Sequence, residues 1–330
     1  MSLQVLVCLV ALALVFDFMN GFHDAANSIA TIVSTGAMRP QWAIVWAAFF
    51  NFIAFLFFGL HVAGTVGKGI IDPLIVDHYV VFGALMGATS WNILTWYYGI
   101  PSSSSHALIG GLAGAAVAKG GTGMLVGSGF FKTALAIILS PALGFTLGVV
   151  LMIAVSWIFV RSTPRRVGNL FNGLQFVAAA FYSLGHGSND AQKTMGIIWM
   201  LLIASSVVGP DDALPLWVVL ACQAAMGLGT LFGGWRIVKT MGMRITKLKP
   251  VSGFCASASG AITLFIATWL GVPVSTTHTI TGAIVGVGAS QKLSAVRWGV
   301  AGNIVWAWIF TIPGSAFVAA VSWSFAQRFF

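Results

Sequence analysis

The chain contains two closely similar stretches, Ile100-Pro101-Ser102-Ser103-Ser104-Ser105-His106 and Val272-Pro273-Val274-Ser275-Thr276-Thr277-His278. His278 of the second stretch corresponds to His106 of the first, and a glycine-containing apolar run follows each. A proline, a group of hydroxyls and a helix start, all inside apolar sequence, predict a helix that is interrupted at membrane depth. Because a helix N-terminus and its hydroxyls can hold an anion, the two copies favour an anion transporter.

The composition indicates an integral membrane protein. Of the 330 residues, 58% are hydrophobic and 7% are charged, whereas a soluble domain has about 25% charged residues. Several runs with at most one charge reach the roughly 20 residues that a bilayer crossing requires. They are Trp42–Ala63, Ala142–Val160, Leu214–Trp235 and Trp298–Phe325. We therefore predict one all-α polytopic unit, in which the net charge of +9 belongs to the loops and does not indicate nucleic-acid binding.

The N-terminal run and the cysteines suggest no processing and no metal site. The run Leu3–Phe16 has no preceding basic residue and leads directly into Asp17, so we predict a retained first helix and not a cleaved signal peptide. The three cysteines, Cys8, Cys222 and Cys255, all lie in apolar stretches. Their odd number and their spacing favour packing roles over a disulfide framework or a metal site, and no cofactor is predicted.

The duplication extends beyond the two hydroxyl stretches. Asn20–Ser28 resembles His186–Thr194, and the two segments align so that Asp24 corresponds to Asp190. We place the two halves at residues 1–166 and 167–330, joined by the polar stretch Arg161–Asn169.

Each half is predicted to have a broken first helix, a full second helix, a helical hairpin and a long closing helix. The predicted hairpins are Tyr79–Ala118 and Val251–Ala289. The segment Thr122–Val160 is too long for one straight span, so we expect Pro141 to kink or split it.

The charges of equivalent loops predict that the two halves have opposite orientations. After the first span, the first half has Arg39 where the second half has Asp211 and Asp212. The next loop of the first half contains Lys68, Asp72 and Asp77, and that of the second half contains Arg236, Lys239, Arg244, Lys247 and Lys249. The positive-inside rule then places Arg39, the linker and the 236–249 loop in the cytoplasm and both termini outside. In such an inverted repeat the two hairpins, as broken helices, meet near the bilayer midplane, where the substrate binds.

Four charged residues lie in or beside apolar spans: Asp17, Asp24, Asp190 and Lys193. Each costs about 3 kcal/mol at a helix centre, so together they cost on the order of 10 kcal/mol, and such residues are candidates for function. An ion pair between Asp190 and Lys193, one turn apart, is the structural alternative. For Asp17, which has no counterpart in the second half, the structural alternative is favoured.

The polar residues around the hydroxyl stretches and the aspartates are the predicted site. Carboxylate, amide and freed carbonyl oxygens suit a small hard cation, and a proton could bind the carboxylates equally well. The predicted substrate-binding residues are Ser103, Ser104, Ser105, Ser275, Thr276, Thr277, Asn27, Lys193 and Gln192. The predicted coupling-ion residues are Asp24, Asp190, Asn20, Asn189 and His23, and the predicted gating or relay residues are His106, His278 and His186.

These motifs resemble the inorganic phosphate transporter (PiT) family over essentially the whole chain. The resemblance rests on Gly21–Asn27 with Ala37-Met38-Arg39, on Trp91–His106, on Ser188–Lys193 and on Val272–His278. It implies a plasma-membrane symporter that imports inorganic phosphate with a cation by alternating access between inverted repeats.

Two departures from the family pattern bear on regulation and on the coupling ion. The large soluble insert that many members carry between the halves is absent from this chain. His23 and Gln192-Lys193 differ from the Asn-Asp-x-Ala-Asn of the sodium-coupled members and resemble the bacterial low-affinity, proton-linked type. An ammonium at Lys193 would repel a metal ion there and could neutralise phosphate. We therefore predict proton coupling, with sodium coupling or a sulfate permease of the same family as alternatives, and leave open a metal-phosphate substrate and a homodimer.

Two other function classes fit the sequence less well. Moving a dianion into a negative cell costs about 2.3 kcal/mol per charge per 100 mV, so accumulation requires cations that move with it, unlike flow through a channel. A hydrolase is unsupported because a catalytic triad is one asymmetric constellation, whereas the candidates here occur as two equivalent sets. Between the two tetrahedral anions, phosphate is favoured because its protonated form can donate a hydrogen bond to a carboxylate, which sulfate at neutral pH cannot do.

Overall fold

The computed structural model describes residues 2–72, 75–209 and 211–329, and of Lys68 only the backbone. This part of the chain forms twelve α-helices joined by short turns. In the first half they are α1 (Leu3–Ser34), α2 (Pro40–Ile53), α3 (His61–Gly69), α4 (His78–Tyr98), α5 (Ser104–Gly120) and α6 (Gly127–Ile158). In the second half they are α7 (Pro164–Ala204), α8 (Leu216–Phe232), α9 (Trp235–Lys239), α10 (Pro250–Trp269), α11 (Thr276–Gln291) and α12 (Trp298–Phe329).

The helices of the second half follow the same order as those of the first. The long helices α6 and α12 both have 32 residues, and each follows a short 3-10 turn, at Thr122–Met124 and Leu293–Ala295. The expected polar linker is shorter than predicted, because Pro164 begins α7 and most of Arg161–Asn169 is therefore helical.

The break of each half lies in its second span, so the prediction of a broken first helix and a full second helix was wrong. Both α1 and α7 run without interruption through Asp24 and Asp190. The chain instead bends by 84° between α2 and α3 and by 62° after α8. Gly59 lies at the first bend and Gly233 at the second, and α6 stays one helix through Pro141.

Several of the apolar helices are long enough to cross a membrane. Among the described residues, four helices, α1, α6, α10 and α12, have the required length and hydropathy, and the number rises to six if each bent helix pair counts as one span. The long helix α7 carries Asp190 and Lys193 among other buried polar residues, which lowers its hydropathy.

Two helical hairpins, α4–α5 and α10–α11, form where the sequence predicts them. Gly99 and Gly271 have positive φ values of 66° and 68°, a backbone conformation that ends a helix and that glycine adopts without strain. Ser103 and Ser275 cap the returning helices by accepting hydrogen bonds from the backbone N–H of His106 (3.2 Å) and of His278 (3.1 Å). The hydroxyls after each proline therefore set the helix start.

The returning helix of each hairpin packs against the closing helix of the other half. Thus α5 contacts α12, and α11 contacts α6. Glycines allow this close approach, since a Cβ on Gly282 would lie 2.2 Å from the carbonyl oxygen of Pro141. The equivalent Gly110 faces Ile312 in the same way, at 2.6 Å from its carbonyl oxygen. The two halves are therefore interleaved, and each hairpin is held in place by the other half.

We expect Gly282→Ala to destabilise the protein by about 1–3 kcal/mol, because the added methyl group forces α11 away from α6. The measurement is the thermal unfolding midpoint of the detergent-purified protein. Gly302→Ala is the control, since Gly302 is exposed and a Cβ there meets nothing within 4 Å. Equal midpoints for the two variants would show that the contact between α11 and α6 is not tight.

Candidate functional site

The middle of α1 and of α7 and the first turns of α5 and α11 bring polar side chains together between the two halves. We call this group the polar cluster. None of its members is more than 4% exposed. The members are His23, Asp24, Asn27, Ser104, Ser105, His186, Asp190, Lys193, Thr276 and Thr277.

Lys193 is the cation of the polar cluster. Its ammonium pairs with Asp190 and donates hydrogen bonds to Ser105 Oγ (2.5 Å) and to the carbonyl oxygen of Val274 (2.7 Å). The ion pair that the sequence offers as a structural alternative is therefore present. Lys193 also contacts both hairpins, so it connects α7 with the start of α5 and with the tip of the second hairpin.

Asn27 takes the place of Lys193 in the first half, since the alignment that matches Asp24 with Asp190 also matches these two positions. Its side-chain amide donates to Thr277 Oγ1 (2.9 Å) and Thr276 Oγ1 (3.2 Å). Lys193 contacts Ser105, which is the counterpart of Thr277. The first helix of each half thus binds the hydroxyls of the opposite hairpin through equivalent positions.

The two aspartates have different partners. Asp24 Oδ1 lies 2.6 Å from His23 Nδ1, and the other nitrogen of His23 lies 3.1 Å from Thr95 Oγ1. Asp190 accepts a hydrogen bond from Thr276 (2.8 Å) in addition to its pair with Lys193. Only Asp190 is therefore neutralised by a fixed cation.

His186 lies close to both carboxylates, those of Asp24 and Asp190. Its Nε2 lies 3.3 Å from Asp190 Oδ2, and ligand atoms of Asp24, His186 and Asp190 all lie within 4.8 Å of one another. With the histidines counted as neutral, two carboxylates and one ammonium give this buried region a formal charge of −1. Such a region disfavours an added anion unless positive charge enters with it.

Some buried polar atoms of the polar cluster have no hydrogen-bond partner among the described residues. Among them are Ser104 Oγ and Asn27 Oδ1 and, just beside the cluster, His106 Nε2. Burying a polar group without a partner costs free energy. These atoms are therefore positioned to bind a ligand that carries both hydrogen-bond donors and acceptors.

Other predicted site residues form hydrogen bonds with main-chain groups or with hairpin residues around the site. Gln192 accepts from the N–H groups of Val62 and Ala63 (3.0 and 3.2 Å) and donates to the carbonyl of Gly59 (2.9 Å), so it caps α3 at the first bend. Asn189 holds the second hairpin by donating to Thr268 (3.1 Å). Ser103 and Ser275 are the helix caps described above, which leaves Ser104, Ser105, Thr276 and Thr277 as the hydroxyls of the polar cluster.

The two hairpin histidines contact each other. The ring centroids of His106 and His278 lie 4.3 Å apart, nearly perpendicular, and His278 also stacks on Trp308 at 3.7 Å. The first turns of α5 and α11 therefore meet directly between the two halves. Trp308 extends this contact to α12, and the relay or gating role of the two histidines stays a prediction.

Three residues of the site were not predicted from the sequence. Asn51 lies 3.2 Å from His186 Nδ1, Thr95 binds His23, and the Tyr182 hydroxyl donates to the carbonyl of Thr276 (3.0 Å). The sequence did contain a signal for Asn51. Its counterpart in the equivalent apolar helix of the second half is Gln223, which is also an amide, and the two positions are as far apart in the chain as the two hydroxyl stretches. Thr95 and Tyr182 have no such polar counterpart.

Each bent second span holds the tip of the other half's hairpin. Thr65 of α3 donates to the carbonyl of Gly271 (2.8 Å), and Thr240, after α9, donates to that of Gly99 (3.0 Å). Arg236 adds a hydrogen bond to the carbonyl of Tyr97. The two hairpin tips are thus fastened by similar contacts from opposite halves.

Comparisons with known proteins point to phosphate transport. The model of the phosphate transporter family matches residues 20–319. A probable low-affinity inorganic phosphate transporter from Rhizobium meliloti is 65% identical over 97% of this chain and 96% of its own length, and one from Bacillus subtilis is 47% identical over 98% of both. A solved structure titled as the sodium-dependent phosphate transporter matches with a TM-score of 0.90 and 26% identity over 99% of this chain and 100% of that one.

Proposed function

The chain belongs to the phosphate transporter family, and we propose that it imports inorganic phosphate together with protons by alternating access. Membership confirms the resemblance that the motifs indicated. In the part of the chain that the structure describes, four to six helical segments can span a bilayer. The chain is therefore a multi-pass membrane transporter, of a family that is not known to be enzymatic.

The formal charge of the polar cluster carries the proposal. Asp24 and Asp190 outnumber Lys193, so the cluster is already negative before an anion enters. A phosphate dianion becomes acceptable only when cations or protons bind with it, and the membrane potential then drives these charges inward. The same carboxylates that repel free phosphate therefore couple its entry to cation entry.

The surroundings of Lys193 favour the proton over a metal ion. Its ammonium is bound by a carboxylate, a hydroxyl and a carbonyl oxygen, which is a set of ligands that also suits a small hard cation. The lysine thus places a permanent positive charge where a metal ion would otherwise bind. The remaining carboxylate, Asp24, is paired with the protonatable His23.

Sodium coupling is the second candidate. The solved structure that this chain resembles is titled as sodium-dependent, and the group Asp24, His186 and Asp190 offers three ligand atoms close together. The same group could hold a metal ion that enters as a metal-phosphate complex. Sulfate is a weaker alternative, because the curated relatives named above are described as phosphate transporters.

Alternating access follows from the proposed inverted arrangement of residues 1–166 and 167–330. In this arrangement both termini lie on the outer side of the plasma membrane, and the basic 236–249 loop is cytoplasmic. The contact of Thr65 with one hairpin and that of Thr240 with the other would then lie towards opposite sides. Opening one contact while the other stays closed exposes the polar cluster to one side at a time.

The test is phosphate uptake into proteoliposomes with proton and sodium gradients imposed separately. We expect an inward proton gradient to drive accumulation without sodium, a protonophore to abolish it, and arsenate to compete more strongly than sulfate. Measurements with and without Mg²⁺ distinguish free phosphate from a metal complex. Uptake that requires sodium at constant pH and ignores a collapsed proton gradient would establish the sodium-coupled alternative instead.

A further inference from the structure

Asp17 is a buried carboxyl that the polar cluster does not include. It lies on α1, about two helical turns before Asp24, and its exposed fraction is 0%. Thr194 of α7 donates a hydrogen bond to its Oδ1 (2.9 Å), whereas Oδ2 has no hydrogen-bond partner among the described residues. The equivalent position of the second half is Ser183, so the duplicated site does not require this acid.

No fixed cation neutralises Asp17. Within the described part of the chain, no Lys, Arg or His nitrogen forms an ion pair with it, in contrast to Asp24 and Asp190. A buried carboxylate without a counter-ion is unfavourable at membrane depth, and a proton removes its charge without any rearrangement. The Thr194 hydroxyl suits both forms, because it can donate to a carboxylate and accept from a carboxylic acid.

The titratable neighbours of Asp17 connect it to the polar cluster. The groups that interact with it are Asp190 of α7 and the thiol of Cys222 of α8, together with the Asn20 amide of its own helix. Among the described residues, no titratable or charged group of the other helices in contact with α1 is found interacting with Asp17. A negative charge on Asp17 therefore repels that of Asp190, whose cation Lys193 precedes Thr194 in the chain.

Close helix packing separates Asp17 from water. On α1, Gly21 lies so close to α8 that a Cβ would be 2.2 Å from the carbonyl oxygen of Met226. On α8, a Cβ at Gly229 would be 2.0 Å from that of Phe18. A proton therefore reaches or leaves Asp17 only when the contacts of α1 with α7 and α8 loosen.

We propose that Asp17 binds a transported proton at a site separate from the polar cluster. The inference rests on the proposed proton coupling and adds one proton to those that enter with each phosphate. Binding of this proton removes a negative charge that acts on Asp190, which makes the polar cluster more favourable for the phosphate anion. Lys193 and Thr194 are neighbours on α7, so a shift of this helical turn on phosphate binding would also change the hydrogen bond on Asp17.

The test compares Asp17→Asn with wild type in proteoliposomes whose membrane potential is clamped at zero. With an inward gradient of one pH unit, each coupled proton multiplies the accumulation ratio of phosphate by about ten. We expect the ratio of Asp17→Asn to be about tenfold lower than that of wild type. Phosphate exchange at equal pH on both sides should persist, because the amide keeps the shape of the side chain and its bond to Thr194.

Two controls make the result specific. Asp17→Glu keeps an ionisable carboxyl and should retain a larger ratio than Asp17→Asn, and Asp211→Asn changes an exposed acid and should leave the ratio unchanged. An unchanged ratio in Asp17→Asn overturns the proposal. Loss of exchange together with accumulation also overturns it, because Asp17 is then structural. If wild type itself does not respond to the proton gradient, the proposed function fails first, and the two failures are distinguishable.

Discussion

Lys193→Met is expected to abolish phosphate accumulation and to lower the stability of the protein. The substitution removes the ammonium that binds Asp190, Ser105 and the Val274 carbonyl. Removing one partner of a buried ion pair leaves an uncompensated charge and costs about 3–5 kcal/mol. The measurements are the unfolding midpoint in detergent and the initial rate of phosphate uptake in proteoliposomes.

A double variant separates the two effects of Lys193. In Asp190→Asn/Lys193→Met both members of this ion pair are uncharged, so stability should recover while uptake stays absent. Lys119→Met is the matched control, because Lys119 pairs with Asp77 at 2.7 Å but both side chains are about 30% exposed, where a pair contributes about 0–1 kcal/mol. If Lys193→Met took up phosphate at the wild-type rate, Lys193 would not be part of the substrate site.

Asp24→Asn should lower the initial rate of phosphate uptake by about a hundredfold with little change in the unfolding midpoint. Stability should hold because an amide oxygen can still accept a hydrogen bond from His23, and Asp24 has no lysine partner to leave unpaired. Transport should fail because the polar cluster loses the carboxylate that we propose as the binding site of the coupling proton.

Asp190→Asn provides the comparison for Asp24. This variant should lose uptake as well, but it should also lower the midpoint, because it leaves the Lys193 ammonium without its counter-ion. Different stabilities with the same loss of transport would show that the two carboxylates share a function and differ in structure. Wild-type rates in both variants would exclude the aspartates from coupling.

The sequence was most informative where both copies carry the same signal. The proline, hydroxyl and helix-start pattern predicted both hairpins, because capping is a local interaction between Ser103 or Ser275 and the next turn. The pattern did not show which hydroxyls cap a helix and which belong to the site, because consecutive serines can be distinguished only once the first residue of the helix is known. Only the structure shows that Ser104 and Ser105 belong to the polar cluster while Ser103 caps α5.

The position of the helix breaks could not be taken from composition alone. Glycines around Asp24 and Asp190 suggested unwinding there, but in the structure such glycines serve close packing, as Gly21 does against α8. The bends lie instead beside Gly59 and Gly233. The role of Gln192 depends on the first bend, because the amide caps a helix start that the sequence did not predict. Contacts between the halves, such as Asn27 with Thr277, need the folded structure.

Labelling of the two hairpin tips tests the central claim most directly, namely that the tips enclose phosphate from opposite halves. Single cysteines replace Ser102 and Val274, which are equivalent positions, in a chain whose native cysteines, Cys8, Cys222 and Cys255, are changed to alanine. A membrane-impermeant thiol reagent is applied from either side, with and without phosphate. We predict that the two tips react from opposite faces and that phosphate, but not chloride, slows both reactions. Reaction of both tips from the same face at rates that phosphate does not change would contradict the account.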